Sequence, residues 1–377
     1  MSEIWDVPGQ AAAAGVLRGA VSRDQVGHAW AVVGPSGVGQ GALARALAAA
    51  LNCEVSPTGC GTCSSCVRSL RGAHPASWEF APVGAVHRVG DVRDSWTRVA
   101  SRTAVEGRFK VLRIIDADRM NEAAANAFLK MLEEPPPRTV WIIELADPDE
   151  LPDTIVSRCR ELRVSPWDRT TMETVAAAAS GVSAADRGLA VRASMGSPTR
   201  LRSLLSAQGL DDLRRHRRIP RELREEGPGF ALVAARQLDD EMKRAVTGVR
   251  DEARHEREQL AELYGDAPPR DVLRQVEQRA TRREREARTV VAQTALDDLA
   301  GWYRDVLLVR RGGSAADAVH ADDVEGLRDD AHALSERALI TSMDTVFARR
   351  EQLELNVQMT LALEALLLDL WSVAARQ

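Results

Sequence analysis

The chain has 377 residues, 45% hydrophobic, 28% charged and only 4% aromatic, with a formal net charge of −5. That length implies two or three domains, and the balance of apolar to charged residues excludes a disordered chain. The negative balance gives no overall drive towards nucleic acid, so any DNA contact needs a local basic face. Helix formers dominate, and a mainly helical chain with one sheet is expected. Met1–Gln10 has neither the basic start nor the apolar core of a secretion signal. The apolar Val357–Ala375 stretch carries Glu364 and Asp369 at helical periodicity, which reads as a buried helix and not a membrane span. A cytoplasmic chain away from membranes is therefore expected, with its five cysteines kept reduced.

The first informative stretch runs from Ala29 to Leu43. An apolar run, Ala29 to Val33, reads as a buried strand; Gly34, Gly37, Gly39 and Gly41 follow; Gly41–Leu51 is helical. Strand, glycine-rich loop and helix in that order form a phosphate-binding loop, G-x-x-x-x-G-K-[ST], in which backbone N–H groups and the helix N-terminus face phosphate oxygens. Gln40 stands where the lysine belongs, and Gly41 where a magnesium-binding hydroxyl belongs. Neither can do that chemistry. Cys53, Cys60, Cys63 and Cys66 follow within fourteen residues, with Gly59 and Gly61 available for tight turns. Four thiolates at this spacing can close a tetrahedral shell around Zn²⁺, leaving no open position, so the zinc would be structural. Two disulfides or free core cysteines are the alternatives, and a reducing compartment counts against the first.

Further strands are expected at Val111–Ile115 and Val140–Leu145, and helices at Val92–Ser101 and Ala123–Leu132, the last ended by Pro135-Pro136-Pro137. This alternation predicts an α/β domain with a parallel sheet over residues 1–165. After the Val111–Ile115 strand come Asp116-Ala117-Asp118-Arg119. In a phosphate-loop ATPase a strand end of this kind carries an acidic pair, one for magnesium and one to activate water. Asp116 could be the first, or simply a solvated acid at a strand end. Ala117 stands where the second belongs and cannot take a proton. Ser157-Arg158-Cys159 lies between a helix-like turn and a strand at Glu161–Val164. An arginine there is either a surface charge or a planar cation for a neighbour's phosphoryl group. Residues 166–206 predict a small three-helix unit, with starts at Asp168, Ser183 and Ser197-Pro198; Arg200 lies in the third. From about 210 to 295 dense Arg, Glu and Asp predict solvated helix faces, broken at Gly227-Pro-Gly and at Gly265-Asp-Ala-Pro-Pro. Residues 296–377 return to apolar helices. Leu296, Leu299, Trp302 and Val306 fall at helical spacing, followed by Val357, Leu361, Leu363, Leu366, Leu367 and Leu370.

Together these residues resemble the clamp-loader subunits of bacterial DNA polymerase III, and among them the delta-prime type. The resemblance runs through Gly9-Gln10, His28-Ala29, Gly34–Gly41, the four-cysteine insert and Lys110–Met120. It continues through Asn126-Ala-Phe-Leu-Lys-Met-Leu-Glu-Glu-Pro-Pro136 and Leu151-Pro-Asp-Thr-Ile-Val-Ser-Arg-Cys159. It implies an AAA+ phosphate-loop domain (1–165), a helical lid (166–206) and an all-α collar for oligomerisation (207–377). It also implies partnership with gamma/tau-type motor subunits and a delta subunit, which use ATP to open a sliding clamp and load it onto primer–template DNA. Motor subunits of this family keep the lysine, the hydroxyl, the acidic pair and a polar sensor. This chain departs at Gln40, Gly41, Ala117 and Ala146, while Ser157-Arg158-Cys159 is intact. The resemblance thus makes Gly34, Gly37, Gly39, Gln40, Gly41, Asp116 and Arg200 a degenerate nucleotide site without productive ATP or magnesium. It makes Arg158 an arginine acting in trans on the next subunit. The alternatives are an active gamma/tau-type ATPase and a zinc-dependent DNA-binding module. The second is thinly supported, since the knuckle carries only Arg68 and Arg71 as cations.

Overall fold

The computed structural model describes residues 4–82, 86–102, 106–265, 268–353 and 358–376. Its contacts divide the chain into two compact units. Unit 1 comprises Met1–Thr171, Ser197–Thr199 and His255–Gln278; unit 2 comprises Met172–Gly196, Arg200–Arg254 and Arg279–Gln377.

The N-terminal run of elements is α1 (Ala11–Ser22), β1 (Ala29–Val33), α2 (Gln40–Leu51), α3 (Ser64–Leu70), β2 (Ser77–Phe80), α4 (Thr97–Ser101), β3 (Lys110–Ile114), α5 (Glu122–Glu133), β4 (Thr139–Leu145), α6 (Asp153–Val156) and β5 (Arg160–Arg163). The strands form one parallel sheet in the order β2-β3-β4-β1-β5. This is the parallel α/β sheet expected from the alternation of apolar and helical runs. β1 and β4 are buried along their whole length, as near-continuous apolar strands covered on both faces must be. Side chains alternate between faces. Leu112, Ile114, Trp141 and Ile143 join Phe128 of α5 in the main core. There Trp141 meets Phe128 edge-on with ring centroids 5.0 Å apart, and Phe128 meets Trp96 likewise at 5.6 Å. The residues ahead of α4, Asp91–Trp96, form a wide π-type turn where an uninterrupted helix over Val92–Ser101 was expected.

The rest of the described chain is helical: α7 (Arg169–Ala177), α8 (Ala184–Ala193), α9 (Pro198–Leu204), α10 (Gly209–His216), α11 (Ile219–Glu226), α12 (Gly229–Tyr264), α13 (Arg270–Arg310), α14 (Val324–Ala333), α15 (Glu336–Gln352) and α16 (Met359–Ala375). Asp168 accepts from Thr171 N–H at 2.7 Å and Ser183 from Asp186 N–H at 3.1 Å, the caps read from the sequence. The charged stretch resolves into α10, α11, α12 and the first part of α13, the last two being long helices of 36 and 41 residues. The break between them falls partly on residues 266–267, outside the described residues. Unit 2 has its own core, in which Leu296, Leu299, Trp302 and Val306 meet Leu363, Leu366, Leu367 and Leu370. Leu361, expected in that core, is instead exposed on α16, and Val357 lies outside the described residues. Within the described residues no helix is long and apolar enough to cross a membrane.

Candidate functional site

β1 delivers the chain to the carboxyl edge of the sheet at the point where strand order reverses, flanked by β4 and β5. Open α/β sheets bind ligands in the crevice outside that edge. The loop begins with the Gly34 N–H donating to the Leu145 carbonyl at 3.1 Å, which ties it to the end of β4. Gly34, Gly37 and Gly39 have φ of 147°, 82° and 140°, conformations that side chains disfavour. Gln40 then folds back under the loop and is buried. Its Nε2 donates to the Gly34 carbonyl at 3.2 Å and the Pro35 carbonyl at 2.6 Å, and its Oε1 accepts from Gly39 N–H at 3.3 Å. The amide is occupied by its own loop.

Packing holds the loop from outside as well. A β-carbon on Gly39 would come within 3.0 Å of Val7 and 3.1 Å of Gln10. Gln10 donates to the carbonyls of Val38 (3.2 Å) and Ser165 (2.7 Å), and the Trp167 indole donates to Val38 at 2.9 Å. Both the N-terminal segment and the chain leaving β5 are thus bonded to the loop.

Beneath Gly41 lies a group that the sequence reading missed. Arg113 of β3 is clamped between Glu144 of β4 and Glu79 of β2. Nη2 donates to Glu144 Oε2 at 2.8 Å, Nε donates to its other oxygen, and Nη1 donates to Glu79 Oε1 at 2.9 Å. All three side chains are at most 15% exposed. Burial pulls the guanidinium pKa down, but Glu144 and Glu79 together raise it above its ordinary value. A β-carbon on Gly41 would sit 2.8 Å from Arg113 Nη2 and 3.1 Å from Cζ. The space for a hydroxyl-bearing side chain is therefore filled by a cation already held by two acids. The sequence did carry a signal: charges inside strands that read as fully buried must pair with one another.

At the end of β3, Asp116 takes a left-handed conformation (φ 51°), which aspartate tolerates, and starts a short turn over Ala117–Arg119. Ala117 is fully buried in the main core. Buried there, it offers no group that takes a proton. Asp118 Oδ2 accepts from the Ala146 N–H at 3.1 Å and so joins the ends of β3 and β4.

The two candidate arginines each have partners of their own. Arg158 follows α6 on the surface, donating to the Thr154 carbonyl and to Glu133 Oε1, each at 2.8 Å. Arg200 is bound to Asp298 inside unit 2. Asp298 also meets His216 Nδ1 at 2.8 Å, and His216 Nε2 meets Glu241 at 2.8 Å.

Cys53, Cys60, Cys63 and Cys66 converge, with sulfurs all within 4.8 Å of one another. The Cys53–Cys63 and Cys60–Cys66 separations are 3.9 and 4.0 Å. A tetrahedron with metal–sulfur bonds of about 2.3 Å has edges of about 3.8 Å, close to these two separations. Backbone N–H groups point at the sulfurs: Ser56 to Cys53 at 3.2 Å, Cys63 to Cys60 at 3.3 Å, Cys66 to Cys63 at 3.5 Å. The Thr62 hydroxyl, followed by the Cys63 N–H, brings the Cys60 thiol down to about 5, in the thiolate range that a metal requires. Burial pushes the Cys66 thiol up. Behind the quartet, His74 accepts from Ala76 N–H at Nδ1, so its Nε2–H faces Ser65 Oγ at 3.1 Å, and Ser65 donates to the Asn52 carbonyl.

With that geometry established, residues 9–168 match the family described as "DNA polymerase III, delta subunit". Over 141 residues the chain is 40% identical to DNA polymerase III subunit delta' of Pseudomonas aeruginosa, covering 36% of this chain and 43% of that protein. Over residues 9–168 the chain is thus similar to subunits of DNA polymerase III. It is also 35% identical to DNA polymerase III subunit tau of Escherichia coli over 165 residues, covering 43% of this chain and 25% of the relative. This chain therefore spans less than half of each of these relatives' own length. A solved DNA polymerase III gamma subunit-related protein from Thermotoga maritima superposes at a TM-score of 0.47 and 14% identity over 96% of this chain and 99% of its own. The clamp-loader match includes the phosphate loop, the cysteine quartet and Ser157-Arg158-Cys159, and ends just past Trp167.

Proposed function

We propose that this chain is a non-motor, delta-prime-type subunit of a DNA polymerase III clamp loader. The observation that carries the reading is the state of the phosphate loop. Gln40 is bonded to its own loop carbonyls, and Arg113 fills the space beside Gly41. Neither a lysine nor a metal-binding hydroxyl is present in the loop to hold the phosphates and metal of a nucleotide. Such a chain turns over no ATP of its own. Its contribution is Arg158, presented to the ATP site of a gamma/tau-type neighbour. The arginine's present pairing with exposed Glu133 is weak, worth about 0–1 kcal/mol, so a phosphoryl group displaces it readily. A trans arginine in phosphoryl transfer is worth about 10³-fold or more.

In this reading the four cysteines hold a structural Zn²⁺; a full thiolate shell suits zinc and leaves no place for a substrate. Residues 166–206 serve as the lid and 207–377 as the collar. On the collar, Ile340 and Phe347 of α15, and Leu361 and Leu368 of α16, each form an exposed apolar pair seven residues apart on one helix face. The assembly includes motor subunits and a delta subunit, acts on a sliding clamp and primer–template DNA, and works in the cytoplasm. The identity to the tau relative favours a motor reading, but Gln40 and Arg113 oppose it. Calorimetry of the isolated chain with Mg·ATP decides between them. No binding and no turnover is expected, and tight binding with hydrolysis would establish a motor.

A further inference from the structure

We propose that the four-cysteine module is the seat for the tip of the α12–α13 hairpin, residues 255–278, and that metal binding and tip docking form one coupled equilibrium. The inference rests on the zinc reading above and concerns what that metal holds in place. The tip belongs to unit 1 by its contacts. There Leu260, Val272 and Val276 close over Ala73, with Tyr264 packed alongside, as a small cluster separate from the sheet's core. The Tyr264 hydroxyl donates to the Ala73 carbonyl. Arg68 lies over the Tyr264 ring, 5.1 Å from its centre, while its guanidinium is held by Glu106.

The module residues in that contact lie directly after the last two cysteines. Arg68 sits on α3, two residues beyond Cys66; Ala73 is in the turn that follows. α3 has only seven residues, and Cys63 is its N-cap, accepting from the Cys66 N–H. A helix this short does not persist by itself in water. What fixes it is its packing on α2, the Ser65 bond to the Asn52 carbonyl, and the attachment of Cys63 and Cys66 to Cys53 and Cys60. With the metal removed, nothing joins Cys63 and Cys66 to Cys53 and Cys60, and α3 loses one of the anchors that present Arg68 and Ala73 to the hairpin. By linkage the coupling is reciprocal: an undocked tip weakens metal retention by the same factor.

The test uses the full chain. Native mass spectrometry first establishes the zinc content, and a chain purified with no bound metal defeats the zinc reading and this inference together. Hydrogen exchange is then compared between the loaded protein and protein stripped with a chelator. Exchange across 255–278 is expected to quicken at least about tenfold on stripping, while β1 and β4 keep their protection. Leu260→Asp, whose side chain touches no cysteine, serves where stripping unfolds the whole unit. It is expected to free the tip and to surrender zinc to the chelator at least about tenfold faster than the parent. Unchanged tip exchange in the stripped protein, or a Leu260→Asp tip that is free while zinc leaves at the parent rate, overturns the coupling and leaves the zinc reading standing.

Discussion

Gly41→Thr places a β-carbon where Arg113 already stands. The new atom falls 2.8 Å from Nη2 and 3.1 Å from Cζ and Nη1. A long side chain usually yields to such pressure, but this one is fixed by nitrogen–oxygen bonds to Glu79 and Glu144 on the two adjacent strands. Overpacking alone costs about 1–3 kcal/mol. If the guanidinium is driven from its place, two buried carboxylates lose their counter-charge, and the cost rises towards about 3–5 kcal/mol. A loss of about 2 kcal/mol or more is expected, a fall of at least about 4 °C in melting temperature for a unit of this size. Thermal unfolding followed by circular dichroism measures it. The informative comparison repeats Gly41→Thr in a background with Glu79→Gln, Arg113→Met and Glu144→Gln, where no charge is left to strand and the penalty should shrink by at least about 1 kcal/mol. Gln40→Lys with Gly41→Thr in the parent should gain no Mg·ATP binding. A Gly41→Thr protein that melts at the parent temperature, or pays the same penalty in both backgrounds, would refute the reasoning.

Gln40→Ala removes three hydrogen bonds inside the loop and should destabilise it by about 1–2 kcal/mol. Amide exchange at Gly34–Gly41 should rise without any change in nucleotide binding. His216 is buried, which lowers its pKa, but Asp298 and Glu241 outweigh burial and raise it to about 9 from an ordinary 6.5. The stability it contributes is complete below about pH 6.5 and is lost as pH rises through about 9. Urea midpoints should therefore fall across that window, and more gently in His216→Gln; a flat profile in the parent contradicts the network. Cys63→Ala should leave the chain unable to retain zinc, read by native mass spectrometry, because three thiolates do not complete the shell.

Much of this arrangement is legible in the sequence where a local pattern dictates it. Strand, glycine loop and helix announce themselves over Ala29–Leu51 because burial and backbone freedom are both local demands. The cysteine quartet is legible because spacing alone brings four sulfurs together. β2 is hard to see: Ser77–Phe80 is a four-residue edge strand with only Phe80 fully buried. The Glu79–Arg113–Glu144 triad is hidden by long separation, 34 residues to one partner and 31 to the other. The Arg200–Asp298 pair is hidden in the same way, its members 98 residues apart. The charge density of 210–295 correctly predicts solvated helix faces, yet nothing in its periodicity reveals that Leu260, Val272 and Val276 close over Ala73. Contacts of that kind are set by tertiary packing, and a window of neighbouring residues does not contain them.

The central claim is that this chain works through Arg158 and not through its own loop. The most direct measurement is the DNA-dependent ATPase rate of a clamp loader reconstituted with either the parent chain or Arg158→Ala. Because Arg158 is a surface residue held, among the described residues, by Thr154 and Glu133, the variant should fold and assemble normally. The account predicts an intact complex whose ATPase at the neighbouring site falls by about 10³-fold. An assembled complex that hydrolyses ATP at the parent rate would contradict it.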